Sequence, residues 1–195
     1  MLANCTNLGT IETTTDFSSL SYLYVGGVVW NATKITSCVN GSANSGESKK
    51  LGAITINGSV ARSCFMGGVT SNSISKIVVS GCRNYAPLKL YAETTTSSSG
   101  NVYAAGVVAI SNYVTTITNC ENYGDIDCKF KTNINPSYIG GVTAGNSSNN
   151  FTISDCSNYG NMTSATARTS GIVAACNRNV QLSNCVNHGD QFNTF

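Results

Sequence analysis

Two carboxylates set two residues apart, Asp125 and Asp127, form the pair in this chain that is best placed for acid–base chemistry. On an extended strand, side chains two positions apart point to the same face, and glycoside hydrolysis requires two carboxylates flanking the scissile bond. No group of lysines or arginines accompanies them to hold an acidic sugar. Asp190 repeats the position of Asp125 beside a turn glycine, where short polar residues are expected. The pattern therefore favours a chain that is not an enzyme, and no catalytic residue is assigned.

The only histidine, His188, is the single candidate base for a serine or cysteine nucleophile. It occupies the position that Tyr85, Tyr123 and Tyr159 occupy in other copies of a repeated phrase, so the four rings are expected to form one outward-facing column. We interpret this column as a candidate binding strip for glycans or a partner protein; the alternative is a self-supporting ladder that shields a turn. With one histidine and no Cys-x-x-Cys, a metal site lacks its usual ligands, and no metal or cofactor is expected.

The phrase that carries these residues is Ile-x-x-Cys-x-Asn-x-Gly-x-Ile, which is clearest at residues 117–126 and occurs in six copies with variations. Its cysteine position holds Cys5, Cys38, Cys82, Cys120, Cys156 and Cys185. Its asparagine position holds Asn7, Asn40, Asn84, Asn122, Asn158 and Asn187. Because a residue that recurs at one phase of a solenoid stacks on its own copies, both sets are predicted to form structural ladders.

The cysteine ladder and the asparagine ladder are expected to be stabilised by different interactions. Cysteine is small, apolar and often buried, which favours a column of buried free thiols. Disulfides between neighbouring coils are the alternative, because a strand spacing of about 4.8 Å falls within the usual Cα separation of a disulfide. The asparagines are expected at a bend, where asparagine tolerates the left-handed backbone conformation, with amides that hydrogen-bond to the copies above and below. The alternative is a row of ligand contacts. Cys64, Cys128 and Cys176 follow no register.

A second phrase, Gly-Gly-Val-Val with variations, alternates with the first at residues 25–29, 66–69, 104–108, 139–142 and 170–173. From its second glycine position to the next repeat cysteine there are 11 to 15 residues, whereas from a repeat cysteine to the next such position there are 15 to 30. Insertions in a solenoid map to one edge. The loops that are predicted to decorate this edge, and to form any ligand surface, are residues 12–22, 93–101, 129–137 and 163–169.

Frequent β-branched residues, interrupted by glycine and asparagine and without a sustained 3.6-residue period, argue against helices. Each unit is predicted to contain three strands joined by bends, and stacked units to pair strand on strand in parallel. The predicted fold class is all-β, a parallel β-solenoid of about five coils, right-handed because parallel crossovers almost always are. One repeat domain spans residues 1–195, with coil units that start near residues 5, 38, 82, 120 and 156 and a partial unit from residue 185.

Composition argues against several functional classes. Eleven basic and nine acidic residues give a net charge of +2, and no basic cluster exceeds Lys49-Lys50, so nucleic acid is not an expected partner. No apolar run approaches the roughly 18 residues that a membrane span needs. The first repeat copy follows Met1 almost directly, so no signal peptide is predicted. We interpret the sequence as a mature form or as a piece of a longer chain.

The alternation of the two phrases resembles the GLUG-type repeats of bacterial surface proteins, and the resemblance extends from Cys5 to Gly189. It implies an extracellular or cell-surface segment of adhesin-like character that acts as a spacer or scaffold. In protease relatives the chemistry belongs to a separate metal domain with His-Glu-x-x-His, and no such motif occurs in this sequence.

The expected function is therefore a non-catalytic structural or adhesin-like β-solenoid, a scaffold or interaction module. The alternative is a carbohydrate-binding or carbohydrate-active β-helix protein. Because the chain opens and closes at the same phase of the repeat, the expected partners are a second copy stacked head to tail into a filament, or further repeats of a longer chain. Glycans or a surface protein are further candidates. Asn-x-Ser/Thr sequences in predicted turns make Asn31, Asn146 and Asn150 glycosylation candidates.

Overall fold

The computed structural model describes residues 1–14, 17, 20–44, 51–58, 63–72, 75–92, 101–113, 115–130, 137–146, 150–165, 167–176 and 179–193. Within these residues every named strand belongs to a parallel ladder and no helix occurs. The predicted parallel β-solenoid is therefore confirmed. The part of the chain that the structure describes also contains no helix long and apolar enough to cross a membrane.

The strands repeat coil by coil. Coil 1 contains β1 (Leu2–Ala3), β2 (Thr6–Asn7), β3 (Ile11–Thr13) and β4 (Tyr22–Gly26). Coil 2 contains β5 (Lys34–Thr36), β6 (Val39–Asn40), β7 (Ile54–Gly58) and β8 (Ser63–Gly67). Coil 3 contains β9 (Ile77–Ser80), β10 (Arg83–Asn84), β11 (Leu88–Ala92), β12 (Val102–Ala105) and β13 (Val108–Ser111). Coil 4 contains β14 (Thr115–Thr118), β15 (Glu121–Asn122), β16 (Ile126–Phe130), β17 (Tyr138–Gly140) and β18 (Thr143–Asn146). Coil 5 contains β19 (Phe151–Ser154), β20 (Ser157–Asn158), β21 (Met162–Ser164), β22 (Arg168–Ser170) and β23 (Val173–Cys176). The described chain ends with β24 (Val180–Ser183), β25 (Val186–Asn187) and β26 (Gln191–Asn193).

Strands at the same position in successive coils form five sheets, which we call A to E. Sheet A contains β1, β5, β9, β14, β19 and β24; sheet B contains β2, β6, β10, β15, β20 and β25; sheet C contains β3, β7, β11, β16, β21 and β26. Sheet D contains β4, β8, β12, β17 and β22, and sheet E contains β13, β18 and β23, with isolated bridges at Val29 and Thr70. The register places like on like, since Asn84 pairs with both Asn40 and Asn122.

Coils 3 to 5 contain five strands each rather than the predicted three, because each coil has two additional sharp corners. The first corner lies just before the repeat cysteine and separates sheet A from sheet B. The backbone φ there is 55° at Asn4, 52° at Ser37, 61° at Gly81, 52° at Asn119, 55° at Asp155 and 51° at Asn184. This left-handed conformation costs least for glycine, asparagine and aspartate. The ladder asparagines, which the sequence predicts at a bend, do not have a positive φ and lie instead in the short strands of sheet B.

The second corner is the Gly-Gly phrase, which separates sheet D from sheet E. At Gly106, the second position of the phrase, an added Cβ would lie 2.1 Å from Asn122 Cγ and 2.3 Å from the carbonyl oxygen of Gly141. Real Cβ atoms do not approach other atoms so closely, so only glycine fits between the asparagine ladder and the next coil. The two repeated phrases of the sequence thus contact each other across the solenoid.

This contact accompanies a division of the interior into two large hydrophobic cores and a small third cluster between sheets D and E. One core contains residues of sheets A and E together with the repeat cysteines, and includes the fully buried Ile35, Ile117 and Val107. The other core contains residues of sheets C and D, and includes Met66 and Leu88. Each coil therefore buries apolar side chains in two compartments, and stacking makes both continuous along the axis.

The connections that vary in length join sheet C to sheet D in each of coils 1 to 5, so they share one corner of the solenoid. Most residues of the four predicted ligand loops, including 93–100 and 131–136, lie outside the described residues. Coil 2 also has a longer connection at a different corner, between β6 and β7.

Candidate functional site

The predicted aromatic column exists on the outer side of the corner that follows sheet B. Ring centroids lie 4.9 Å apart for Tyr85 and Tyr123, 4.6 Å for Tyr123 and Tyr159, and 4.7 Å for Tyr159 and His188, with interplanar angles of 15°, 5° and 7°. The stack is set by the backbone, because the amide N–H of Tyr123 donates to the Asn84 carbonyl and that of Tyr159 to the Asn122 carbonyl, both at 2.7 Å.

Face-to-face stacking limits what this column can bind. Tyr123 and Tyr159 are 38% and 41% exposed, but their ring faces are covered by their neighbours in the stack. The side of the column therefore presents ring edges, whereas a sugar that stacks on an aromatic ring needs its face. A flat contact remains geometrically open only at the ends of the column, beside Tyr85 and His188.

The charges beside the column are paired. Arg83 and Glu121, on adjacent strands of sheet B, form an ion pair through Nε and Oε2. The hydrogen bond to Glu121 is the main reason that the pKa of Arg83 is raised. Within this pair the two charges neutralise each other, so neither Arg83 nor Glu121 is an isolated charge beside the column.

The repeat asparagines form an unbroken amide ladder. Each Nδ2 donates to Oδ1 of the next copy, at 2.8 Å from Asn7 to Asn40, 2.9 Å from Asn40 to Asn84, 2.8 Å from Asn84 to Asn122, 2.7 Å from Asn122 to Asn158 and 2.8 Å from Asn158 to Asn187. The same Nδ2 also donates to a nearby backbone carbonyl, such as Gly124 O for Asn122 at 2.9 Å. The four inner asparagines are fully buried, and their polar atoms are satisfied within the fold.

The repeat cysteines form a parallel column of free thiols. Each Sγ lies within hydrogen-bonding distance of the carbonyl two residues before it, for example 3.3 Å for Cys120 to Thr118 O and 3.1 Å for Cys156 to Ser154 O. Hydrogen bonds with the Cys156 and Cys82 thiols, together with burial, hold the pKa of Cys120 well above its ordinary value. A thiol in this state is a poor nucleophile, whereas the hydrogen bond with Cys120 lowers the pKa of its neighbours Cys82 and Cys156.

The three cysteines outside the register differ in environment. Cys64 and Cys128 are buried in the core between sheets C and D, and burial raises the pKa of Cys64 to about 12. Cys176 ends β23 and is exposed. Among the described residues no group of three or more histidine, cysteine, aspartate or glutamate side chains is arranged to hold a metal ion.

Sequence reasoning missed a second aromatic column, on the outer face of sheet D. Its rings are Tyr24, Phe65, Tyr103 and Tyr138, with successive centroids 4.7, 5.4 and 5.2 Å apart. The Arg168 guanidinium continues it 5.8 Å from the Tyr138 ring centroid. Every ring lies two residues before the first glycine position of the Gly-Gly phrase. That fixed offset was the available signal.

The carboxylate pair of sheet C is engaged in contacts between coils. Asp125 Oδ1 accepts a hydrogen bond from the Asn161 backbone N–H at 2.8 Å. Asp127 Oδ2 accepts one from Tyr91 Oη at 2.9 Å and lies 3.5 Å from Lys129 Nζ. Burial, followed by this hydrogen bond, raises the pKa of Tyr91 to about 12. Asp127 Oδ1, in contrast, is shielded from solvent and has no hydrogen-bond partner among the described residues.

A shallow cleft of about 270 Å³ lies over these carboxylates. Its lining residues are Pro87, Leu88, Lys89, Asp125, Ile126, Asp127, Asn161, Thr163 and Phe192. The outward positions of sheet C supply Lys89, Asp127, Thr163 and Phe192 on four successive strands. This is the place in the described structure where an exposed aromatic ring, a lysine and two carboxylates line one cavity.

The glycosylation candidates differ in accessibility. Asn150 is exposed and Asn31 is partly buried, whereas the side chain of Asn146 lies outside the description. Asn40 also begins an Asn-x-Ser/Thr sequence, but its side chain is fully buried in the ladder. Of the two candidates whose side chains are described, Asn150 is therefore the more accessible.

Comparison with known proteins finds no match to this chain among protein-family models, curated proteins or solved structures. A functional conclusion therefore rests on the repeated phrases of the sequence and on the geometry described above.

Proposed function

We propose that this chain is a non-catalytic scaffold of adhesin-like character, extracellular or at a cell surface, that extends by stacking further coils on its ends. The observation that carries the proposal is the continuity of the amide ladder from Asn7 to Asn187. Buried side chains in every described coil serve the contact with the next coil rather than a pocket. An added coil in an architecture of this kind makes the same contacts with its neighbour that the existing coils make with one another.

The ladder has a direction, and its two ends are complementary. Inside the array, Asn84 Oδ1 accepts hydrogen bonds from Asn40 Nδ2 and from the Ala86 backbone N–H. Among the described residues Asn7 Oδ1 accepts only from the Gly9 N–H, and Asn187 Nδ2 donates only to Gly189 O. An amide oxygen accepts two hydrogen bonds and an amide NH₂ donates two. A second copy stacked head to tail would therefore join Asn187 Nδ2 to its own Asn7 Oδ1.

The backbone edges support the same register. The residue after each repeat cysteine donates its N–H to the cysteine carbonyl of the preceding coil, as Val39 does to Cys5 and Glu121 to Cys82. In a stacked dimer Thr6 of one copy would donate to Cys185 of the other. Exposed parallel strand edges of this type are templates for adding further strands.

Apolar side chains are also exposed at the end of the described stack that contains β24. Leu182 continues the column that contains Ile117 and Ile153, both fully buried, yet Leu182 is 54% exposed. The contact would join sheets A, B and C, because sheets D and E end one coil earlier, at β22 and β23. It is heterologous, so repetition produces a rod rather than a closed dimer.

Sedimentation velocity and electron microscopy over a concentration series test this proposal. The expected result is concentration-dependent assembly into rods one solenoid wide. Asn187→Asp should weaken assembly, because a carboxylate keeps an acceptor for Asn158 Nδ2 but cannot donate to the next copy. Asn44→Asp, at an exposed position outside the ladder, is the control of equal charge and should assemble normally. A chain that stays monomeric at high concentration would contradict head-to-tail assembly, and turnover of a polysaccharide would contradict the non-catalytic assignment.

A further inference from the structure

The cleft over sheet C differs from the rest of the array because its outward residues do not repeat. The inward positions of this sheet are apolar in successive coils, as Ile54, Leu88 and Ile126 show. The outward positions on the same strands are instead Glu12, Thr55, Lys89, Asp127, Thr163 and Phe192. Stacking constrains the inward set, so the chemistry of the outward set is not explained by the solenoid.

The lining of the cleft is amphipathic. Phe192 is 50% exposed and provides an aromatic ring at one end of the cavity. Asn161 and Thr163 provide amide and hydroxyl groups, and Lys89 and Asp127 provide a charged donor and a charged acceptor. A pyranose ring has matching properties, with a C–H face that stacks on an aromatic ring and hydroxyls that hydrogen-bond to polar side chains.

The carboxylate of the cleft is held in place before any ligand arrives. Tyr91 donates to Asp127 Oδ2, and Lys129 lies beside both, with Nζ 5.3 Å from the Tyr91 ring centroid. Asp125 is fixed by the backbone of Asn161. Because these contacts restrain both side chains, binding would cost less conformational entropy than at a surface of free side chains.

The size and charge of the cleft limit the class of ligand that it can bind. A volume of about 270 Å³ lies just below the roughly 300–1,000 Å³ of typical small-molecule pockets, which suits one sugar unit rather than a buried chain. Lys89 and Lys129 balance Asp125 and Asp127, so the cleft and its edge carry no net charge and favour neither an anionic sugar nor a bound cation. We propose that this cleft binds a neutral pyranose unit, as a free sugar or as the end of a glycan, with Phe192 against the ring and Asp127 Oδ2 against the hydroxyls.

Titration of the ¹⁵N-labelled full chain with methyl β-glucopyranoside, methyl β-galactopyranoside and N-acetylglucosamine, followed by amide chemical shifts, tests the proposal. At least one sugar should cause saturable shifts centred on residues 87–89, 125–127 and 161–163. Phe192→Ala should weaken binding by about threefold to tenfold, as expected for an aromatic contact. Asp127→Asn, which removes a charged acceptor but keeps the shape, should weaken it by about tenfold.

Tyr113→Ala is the matched control, because Tyr113 is an equally exposed aromatic residue, at 51%, that does not line the cleft. It should change the affinity by less than about twofold. The amide spectrum of each variant shows whether the fold is retained. The proposal is overturned if none of the three sugars gives saturable shifts, if Phe192→Ala and Tyr113→Ala behave alike, or if binding is abolished by a metal chelator. The shifts of residues 87–89, 125–127 and 161–163 report on coils 3 to 5 rather than on the terminal strand β26, so recording them at low protein concentration separates sugar binding from end-to-end assembly.

Discussion

At the scale of single residues, the asparagine ladder works because a primary amide both donates and accepts along one column. Asn122 uses one N–H for Asn158 Oδ1 and the other for Gly124 O, while its own Oδ1 accepts from Asn84. Aspartate has no donor when ionised, and serine has only one. This explains why asparagine recurs at all six positions of the ladder.

Asn122→Asp should lower the free energy of unfolding by about 3–5 kcal/mol at neutral pH, as expected for an uncompensated buried charge. Asn122 is fully buried. The carboxylate oxygen that replaces its Nδ2 would face two acceptors, Asn158 Oδ1 and Gly124 O, and would have no proton to donate to them. Asn187→Asp, at the exposed end, retains an acceptor for Asn158 Nδ2 and should cost about 1 kcal/mol, the value of one hydrogen bond. Urea-induced unfolding of the two variants measures the difference. Equal losses would show that the ladder contributes no more inside the array than at its end.

The buried thiols make stability depend on alkaline pH. Burial raises the pKa of Cys64 from 9.0 to about 12, so the unfolded chain releases this proton at a lower pH than the folded chain. The stabilisation is complete below pH 9 and is lost as pH rises towards 12, by about 1.4 kcal/mol per pH unit for each such thiol. Cys128, whose pKa burial also raises, acts in the same direction.

Urea unfolding under reducing conditions, between about pH 8 and pH 11, measures this slope. Cys64→Val removes the titrating group and should make the decline shallower, even if its absolute stability differs. An unchanged slope in this variant would show that Cys64 ionises normally in the folded chain. Alkylation at neutral pH provides a second check, because Cys176 is exposed and should react before the buried column.

At the scale of elements, the glycine corner connects the two sequence phrases. The fixed spacing between them predicted a nearly constant half of each unit, but not that the Gly-Gly bend touches the asparagine of the next coil. That contact depends on the three-dimensional path between Gly106 and Asn122. A one-dimensional spacing does not show which columns face each other across a solenoid.

Gly106→Ala should therefore destabilise the fold, whereas Gly9→Ala should be nearly neutral. A Cβ at Gly106 would lie 2.1 Å from Asn122 Cγ, but at Gly9 its nearest neighbour is Asn7 Oδ1 at 3.6 Å. Overpacking at a rigid site costs about 1–3 kcal/mol. Thermal unfolding of both variants measures the contrast. If Gly106→Ala melts with the wild type, the corner is not tightly packed in solution.

The two aromatic columns show which features of the surface the repeats in the sequence could predict. The column of Tyr85, Tyr123 and Tyr159 could be predicted because the phrase around it repeats. The column of Tyr24, Phe65 and Tyr103 has an equally fixed offset, but its residue types vary. The cleft of Lys89 and Phe192 has no sequence signature, since non-repeating outward residues become neighbours only through strand register.

At the scale of the whole molecule, the array behaves as a one-dimensional stack. Residues at the same position of each repeat lie at the same position of each coil, so the fold class could be predicted from the repeats. The five sheets and two cores did not, because both depend on corners set by a left-handed residue and by the Gly-Gly bend. Stability in such stacks is a sum of coil and neighbour terms, so coils with two neighbours should open less often than coils with one.

Hydrogen exchange of backbone amides tests this gradient and the proposed assembly together. At low protein concentration, protection should be greatest in β10, β14 and β15 of coils 3 and 4 and should decline towards β1 and β24. The decline is expected because Ile117 is fully buried while Leu182, in the same column, is 54% exposed. As the concentration rises, stacked ends gain a neighbour, so protection of β2, β24 and β25 should increase while that of β14 stays constant. Leu182→Ala should weaken this increase and leave the central coils unchanged, since it removes apolar area only from the open end. End protection that is independent of concentration would show that the described edges do not pair with a second copy.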